Sequence, residues 1–208
     1  MPPTLDEELR LVKRGFPLVA GLDEVGRGCW AGPVVAAAVI LPLERLRVEP
    51  GLLAAVDDSK RLTAHQREVA AAQVREAALA VSVGLAPAAL VDALGIVRAT
   101  LLAMRQALGR LPLVPSFLLV DGLLHIDMPW PQRALVRGDA RCLSIAAASV
   151  VAKVYRDALL REYAAVFPGY GFERHKGYGT PQHQRALRRR GPCPLHRRSF
   201  APVRRFFP

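Results

Sequence analysis

Cysteine is scarce, with three residues in 208, at positions 29, 142 and 193. They are too few and too scattered for a disulfide framework or a structural zinc site. Long apolar runs are missing as well. The longest charge-free stretches, 28–43 and 77–91, are 16 and 15 residues and are interrupted by Gly or Pro, short of the ~18–20 residues that cross a bilayer. Asp6, Glu7 and Glu8 precede any apolar run, the opposite of the basic start of a secretory signal. No internal repeat and no low-complexity linker interrupts the chain. These absences lead to the expectation of a cytoplasmic protein in a reducing setting, off the membrane and monomeric. What is present is enough to build a core. Apolar residues make up 51% and charged residues 23%, which excludes a disordered or fibrous chain and fits one ordinary domain with a small appendage.

Charge is unevenly placed. Of the net +11, nearly all falls in residues 151–208, which hold thirteen Lys and Arg against three Asp and Glu. A basic face of this kind points to a polyanion, nucleic acid first, although a solubilising surface has the same composition.

Apolar segments at 17–25 and 33–41 read as two strands joined by a Gly-rich turn. Thr63 with Gln66 has the form of a capping box that opens a helix to about residue 79. Further strands are expected at 81–85, 116–120 and 133–136. An amphipathic helix is expected at 94–109, with Leu94, Val97, Leu101, Met104 and Leu108 on one face. A long helix follows over 141–165 and a basic one over 181–190. Alternating strands and helices predict an α/β layer architecture, divided as a segment 1–16, a core 17–165 and a basic C-terminal helical region 166–208.

Four acids occupy strand ends or helix starts in this scheme: Asp23, Glu24, Asp121 and Asp139. Open α/β sheets collect their sites at such places. Strand alternation sends Asp23 and Glu24 to opposite faces, so a shared site requires a bend, which Gly26 and Gly28 permit. Asp139 also fits as a cap for the following helix. Like charges ~4 Å apart cost ~4 kcal/mol per pair at an effective dielectric near 20, so four together need cations. All-oxygen ligands suit Mg²⁺ or Mn²⁺ rather than zinc. A pair of such ions ~3.5–4 Å apart clamps both oxygens of a phosphodiester displacement. Acids beside a basic face are therefore the composition of a metal-dependent nuclease, with a silent nucleic-acid-binding module or another two-metal enzyme as the alternatives.

Longer strings are more specific. Gly21-Leu-Asp-Glu-Val-Gly-Arg-Gly28 followed by Ala31-Gly-Pro-Val34 closely resembles the signature of the ribonuclease HII family. Asp58-Ser-Lys60, Val120-Asp-Gly122, Gly138-Asp-Ala140 with Ser144 to Lys153, His175-Lys-Gly-Tyr-Gly-Thr180 and His196-Arg-Arg-Ser-Phe200 are similar to the same family in the same order. The sister ribonuclease HIII family usually has a Lys at the place of Arg27 and a sizeable N-terminal extension, so HII is the expectation. The resemblance implies a ribonuclease H-like fold, a mixed central sheet flanked by helices with a C-terminal helical lobe. It implies endonucleolytic cleavage of the RNA strand of RNA–DNA hybrids and at single ribonucleotides embedded in duplex DNA, leaving 5′-phosphate and 3′-hydroxyl ends.

Position by position, Asp23, Glu24, Asp121 and Asp139 match the family's catalytic metal-binding acids. Gly26, Arg27 and Gly28 match the loop that senses the ribose 2′-hydroxyl, and Tyr178 the aromatic residue packed on the next sugar. Lys60, Ser149, Lys153, Arg156 and His175 are further substrate contacts to be expected. His65, His125 and His183 are read as surface, and Asp57, Asp92 and Asp127 as turn or cap residues. Direct attack of a metal-activated water is expected, since no activated Ser or Cys is evident. The terminal Phe206-Phe207 resembles a sliding-clamp motif, but the glutamine that opens that motif is absent. Packing on the helical lobe is the simpler expectation for these rings.

Overall fold

A computed structural model describes residues 2–207. Its elements in chain order are α1 (Asp6–Lys13), β1 (Val19–Val25), β2 (Val34–Ile40), α2 (Leu43–Val48), α3 (Ala64–Ala77), β3 (Ala80–Ala86), α4 (Ala88–Leu94) and α5 (Ile96–Gly109), then β4 (Phe117–Asp121), β5 (Gln132–Leu135), α6 (Leu143–Val166), α7 (Phe172–His175), α8 (Pro181–Arg190) and α9 (Ala201–Arg204). The five strands lie in the order β3-β2-β1-β4-β5. β2 runs antiparallel to both β1 and β3, while β4 and β5 run parallel to β1.

Alternation sorts the sheet into two cores. Val35, Ala37 and Val39 of β2 pack with α3 and α6, while Ala36, Ala38 and Ile40 pack with α5 on the opposite face. Every residue of β2 is buried, as a strand covered by helices on both sides must be. Small residues set the layer spacing. A Cβ on Gly84 would come within 2.1 Å of the Ala103 carbonyl, and one on Gly21 within 2.2 Å of the Ser144 backbone. α5 and α6 therefore lie unusually close to the sheet.

Several expectations shift. The helix expected over 94–109 forms as α5 over 96–109, and Gly95 (φ 77°) separates it from α4, which was not foreseen. Met104 and Leu108 are buried as expected, but Leu94 and Val97 are exposed, and Ala99, Ala103 and Ala107 complete the buried stripe. The periodicity of the larger residues did not reveal the alanines, which fill the places where the sheet approaches α5 most closely. α1 was not foreseen. Asp6, Glu7 and Glu8 occupy its first turn, where the helix dipole favours acids. The long helix starts at Leu143 rather than 141, and the Thr63–Gln66 capping box forms as expected.

The C-terminal region packs against α6 through Leu160, Tyr170, Phe172 and Ala186, joined by Ala31. Two arginines are fully buried there with no carboxylate partner among the described residues. Arg156 donates to the carbonyls of Ala31, Pro33 and Lys176, and Arg197 donates to those of Gly32 and Arg27. Phe206 and Phe207 are half-buried, with the Arg205 and Arg198 guanidinium groups 5.1 and 4.5 Å from their rings. Among the described residues, no helix is long and apolar enough to cross a membrane.

Candidate active site

Three parallel strands end together. β1 carries Asp23 and Glu24 near its C-terminus, Asp121 is the last residue of β4, and Asp139 lies in a single 3₁₀ turn (Gly138–Ala140) just after β5. Leu22 pairs with Val120, which sets Asp23 beside Asp121 across neighbouring strands. A cleft of about 280 Å³ opens here, lined by Asp23, Glu24, Val25, Gly26, Ser59, Lys60, Arg67, Asp121, Ser149, Lys153 and Tyr178.

The bend expected at the two adjacent acids does not occur there. β1 stays paired residue for residue with β2 through Val25, and the positive-φ residue Gly26 (φ 92°) comes after both acids. What frees both side chains is the β4 edge. The β1–β4 ladder stops at the Leu22–Val120 pair and β4 ends at Asp121, so Glu24 lies beyond the end of that strand. Both reach one cavity from a regular strand.

The acids are buried and mutually repelling. Burial, then the charges of Glu24 and Asp121, push the Asp23 carboxyl well above the usual range, against bonds from Ser149 and the Glu24 N–H (2.7 Å). Burial also raises Glu24, opposed by Arg27, whose Nη1 is 3.1 Å from Oε1. Asp121 is raised by burial and by Asp139, although the Gly138 N–H donates to its Oδ1 at 2.7 Å. Asp139 is 3% exposed and forms an ion pair with Lys60 Nζ at 2.6 Å. It does not cap α6, whose N-cap is Cys142. The Asp58 side chain accepts from the Lys60 N–H at 2.9 Å, fixing the turn that aims Lys60 at the acids.

One oxygen stands out. Glu24 Oε2 is buried and has no hydrogen-bond partner, an arrangement that costs ~1–3 kcal/mol or more for a charged group unless a ligand compensates it. Among the described residues, no three His, Cys, Asp or Glu side chains close to metal-binding distance, and Lys60 and Arg27 supply the positive charge at Asp139 and Glu24. The donors are all carboxylate oxygens with one left unpaired, a set that fits a hard divalent cation.

Of the other expected contacts, Ser149 and Lys153 line the cleft from α6, and Tyr178 lines it from the loop before α8. Arg27 and Gly28 are exposed and directly follow Gly26, which lines the cleft. Arg156 and His175 do not belong to it. Arg156 is fully buried, with all its donors directed at backbone carbonyls, because Gly26 and Gly32 leave room for its guanidinium. His175 is buried with both ring nitrogens bonded to backbone. His183 is not a surface residue but fully buried, while His65 and His125 are exposed. Asp92 holds the backbone of Arg198 and Ser199, and Asp57 bonds Asp58 N–H and Arg61. Sequence reasoning missed Arg197 and the cleft residues Ser59 and Arg67. Arg197 lies inside the matched His196–Phe200 string, and that string was the available signal.

A five-stranded mixed sheet with helices on both faces, and acids gathered where its parallel strands end, defines a ribonuclease H-like α/β protein. Comparison narrows this. A model of the ribonuclease HII family matches residues 20–203. Ribonuclease HII of Chloroflexus aggregans is 56% identical over 204 residues, covering 98% of this chain and 95% of that protein. Ribonuclease H2 from Pyrococcus horikoshii OT3 superposes with a TM-score of 0.73 at 22% identity, over 91% of this chain and 96% of that one. The structure of the PCNA:RNase HII complex from Archaeoglobus fulgidus matches at 0.72 and 24%, over 88% and 95%. At these identities the two structures speak for the fold alone. The chain belongs to the ribonuclease HII family, endonucleases that cleave the RNA of RNA–DNA hybrids.

Proposed function

We propose that this protein cuts the RNA strand of RNA–DNA hybrids and also nicks duplex DNA at a single embedded ribonucleotide, leaving 5′-phosphate and 3′-hydroxyl ends. The observation that carries the reading is the convergence of Asp23, Glu24 and Asp121 on one cleft, with Asp139 beside it. These four acids would hold two Mg²⁺ or Mn²⁺ ions, and the unpaired Glu24 Oε2 supports that assignment. Bound there, the cations supply a nucleophilic water at neutral pH and stabilise the departing 3′-oxygen.

The remaining residues bind and discriminate. Only the 2′-hydroxyl distinguishes a ribonucleotide from its neighbours. Gly28, two residues past the cleft-lining Gly26, presents bare backbone, with nothing within 4 Å of the place a Cβ would occupy, so a sugar can approach it closely. Arg27 offers a planar fork to a phosphate. Tyr178 packs on the sugar that follows the ribonucleotide, with Lys153 Nζ 5.8 Å from the centre of its ring. Lys60, Ser149 and Lys153 complete the substrate surface. Arg185, Arg189 and Arg190 line a separate cavity of about 450 Å³ beside α8 with no acid in its wall, which suits a nucleic-acid backbone. The three cysteines are free and buried, in keeping with a reducing cytoplasm.

The deciding assay uses a DNA duplex with one ribonucleotide, labelled at either end, with Mg²⁺ and with EDTA. A single internal nick with Mg²⁺ alone is expected. Cleavage that persists in EDTA, or that proceeds only from an end, overturns the reading.

A further inference from the structure

The C-terminal region buries three histidines that take no part in the chemistry above. His183 is fully buried, His196 is 2% exposed and His175 is 8% exposed. His175 and His183 stack with ring centroids 4.4 Å apart, and Nε2 of His183 lies 3.0 Å from Nε2 of His196. Two neutral ring nitrogens at that distance share one hydrogen, one donating and the other accepting.

The surrounding bonds assign that hydrogen. Nδ1 of His183 faces the Tyr178 carbonyl oxygen, which only accepts, so His183 has a bare Nε2. The bare Nδ1 of His196 then accepts from the Cys193 N–H at 2.9 Å, nearer than the Cys193 carbonyl oxygen and Sγ at 3.2 Å, and the neutral His196 ring carries its hydrogen on Nε2. That N–H donates to Nε2 of His183, which leaves His183 its hydrogen on Nδ1. Nδ1 in turn lies 2.9 Å from the Tyr178 carbonyl oxygen. In His175 the Gly177 N–H donates to Nδ1 at 3.2 Å, and Nε2 donates to the Tyr170 carbonyl at 2.8 Å. One neutral tautomer per ring satisfies every nitrogen. A second proton on His183 or His196 would set N–H against N–H. Burial, helped by the neighbouring rings, lowers both to about 4.

This chain of bonds ends on the backbone of the one aromatic residue that lines the cleft. The Tyr178 N–H donates to the His175 carbonyl at 2.9 Å, and its carbonyl also accepts from the Thr180 N–H at 2.8 Å. Lys176 and Gly177 just before it both adopt left-handed backbone (φ 51° and 81°). The turn is held from below while Tyr178 stays 42% exposed.

We propose that His196 and His183 are positioning residues. The one-directional relay from the Cys193 N–H through His196 and His183 to the Tyr178 carbonyl fixes where the Tyr178 ring stands against the substrate sugar. The inference rests on the reading of Tyr178 as the sugar-packing residue.

Two measurements test it. Imidazole ¹⁵N spectra of the full chain should show His183 as the Nδ1–H tautomer and His196 as the Nε2–H tautomer, and the opposite tautomer at His183 overturns the relay whatever Tyr178 does. Kinetics then separate the two ends of His183. Asn places its amide near Nδ1 and keeps the bond to Tyr178, whereas Gln places its amide near Nε2 and keeps only the bond to His196. H183Q should lower kcat/KM on the single-ribonucleotide duplex about five- to tenfold, the worth of one hydrogen bond, and H183N less than about twofold. In a Tyr178→Ala background, H183Q should cost less than about twofold, because residues acting through one another are non-additive. Equal losses in both backgrounds, or H183N as impaired as H183Q, overturn the proposal. If the His183 variants do not fold, H196N, which removes the donor to His183, takes their place in the same cycle. A wild-type rate from Tyr178→Ala removes the target, and with it both this inference and the reading of Tyr178.

Discussion

At the scale of single residues, the site holds charges that the fold alone does not favour. Burial and mutual repulsion raise Asp23, Glu24 and Asp121 above their ordinary pKa values. A carboxyl raised on folding binds more protons in the native state, so its contribution to stability declines as pH rises through the interval. Asp121→Asn should therefore raise Tm by a few degrees in metal-free buffer at pH 7.5. It should also cut kcat by about a thousandfold or more while hybrid binding persists. Thermal melts and single-turnover cleavage check the two halves, and wild-type turnover would contradict the assignment of Asp121. The two outer glycines of the Gly26-Arg27-Gly28 loop separate cleanly. A Cβ on Gly26 would meet Arg156 Nε at 2.3 Å in a left-handed backbone, whereas Gly28 has open space. Gly26→Ala should lose about 2–4 kcal/mol of stability in denaturant unfolding. Gly28→Ala should fold normally yet cleave with poorer preference for ribose over deoxyribose, measured on matched duplexes. Unchanged preference would remove Gly28 from the sensor.

At the scale of elements, the histidine-bearing region should respond to acid. His183 and His196 fall from the ordinary 6.5 to about 4, so between those values the unfolded chain binds more protons than the folded one. Stability that is complete above pH 6.5 is then lost as pH falls toward 4. Melts recorded by circular dichroism from pH 7.5 to 4.5 should show a steady fall in Tm, and a flat profile would contradict the burial of neutral rings. Legibility in the sequence divides along the same line. Strands, the capping box at Thr63 and the basic helix at 181–190 were readable, because alternation, caps and breakers act over a few residues. The break at Gly95 and the alanine stripe of α5 were not, since they depend on how closely the sheet approaches. The sequence singled out four acids that the fold brings near one another, but not why Asp23 and Glu24 share a cleft, because the length of β4 beside β1 is a tertiary fact. Arg156, His175 and His183 were misplaced for a related reason. Arg156 bonds carbonyls far away in sequence, and the two histidines bond the backbone of their own segment beneath residues packed over them, so in sequence each looks like a surface residue.

At the scale of the whole molecule, acids and cations are segregated, with the acidic cleft in the sheet and most of the surplus positive charge in residues 151–208. Binding of a hybrid duplex should weaken steeply with salt through counterion release. Replacing Arg185 and Arg189 with Ala should reduce the slope of log Kd against log salt by about 2, one for each phosphate that is no longer neutralised. kcat at saturating substrate should stay within about twofold, since an arginine bound to backbone alone holds the duplex equally in the ground and transition states. An unchanged slope would place the nucleic acid elsewhere.

Arg197 reaches back across the sequence to hold the carbonyls of Arg27 and Gly32, and the ribosome makes it some 165 residues later than the loop it clamps. The strands and their carboxylates all precede residue 143, as does the loop next to them, yet that loop lacks the Arg197 bonds until residue 197 has emerged. Translation that stops early leaves a fragment whose 27–32 segment lacks the bonds that Arg197 supplies, so that segment is among the last parts of the fold to be locked.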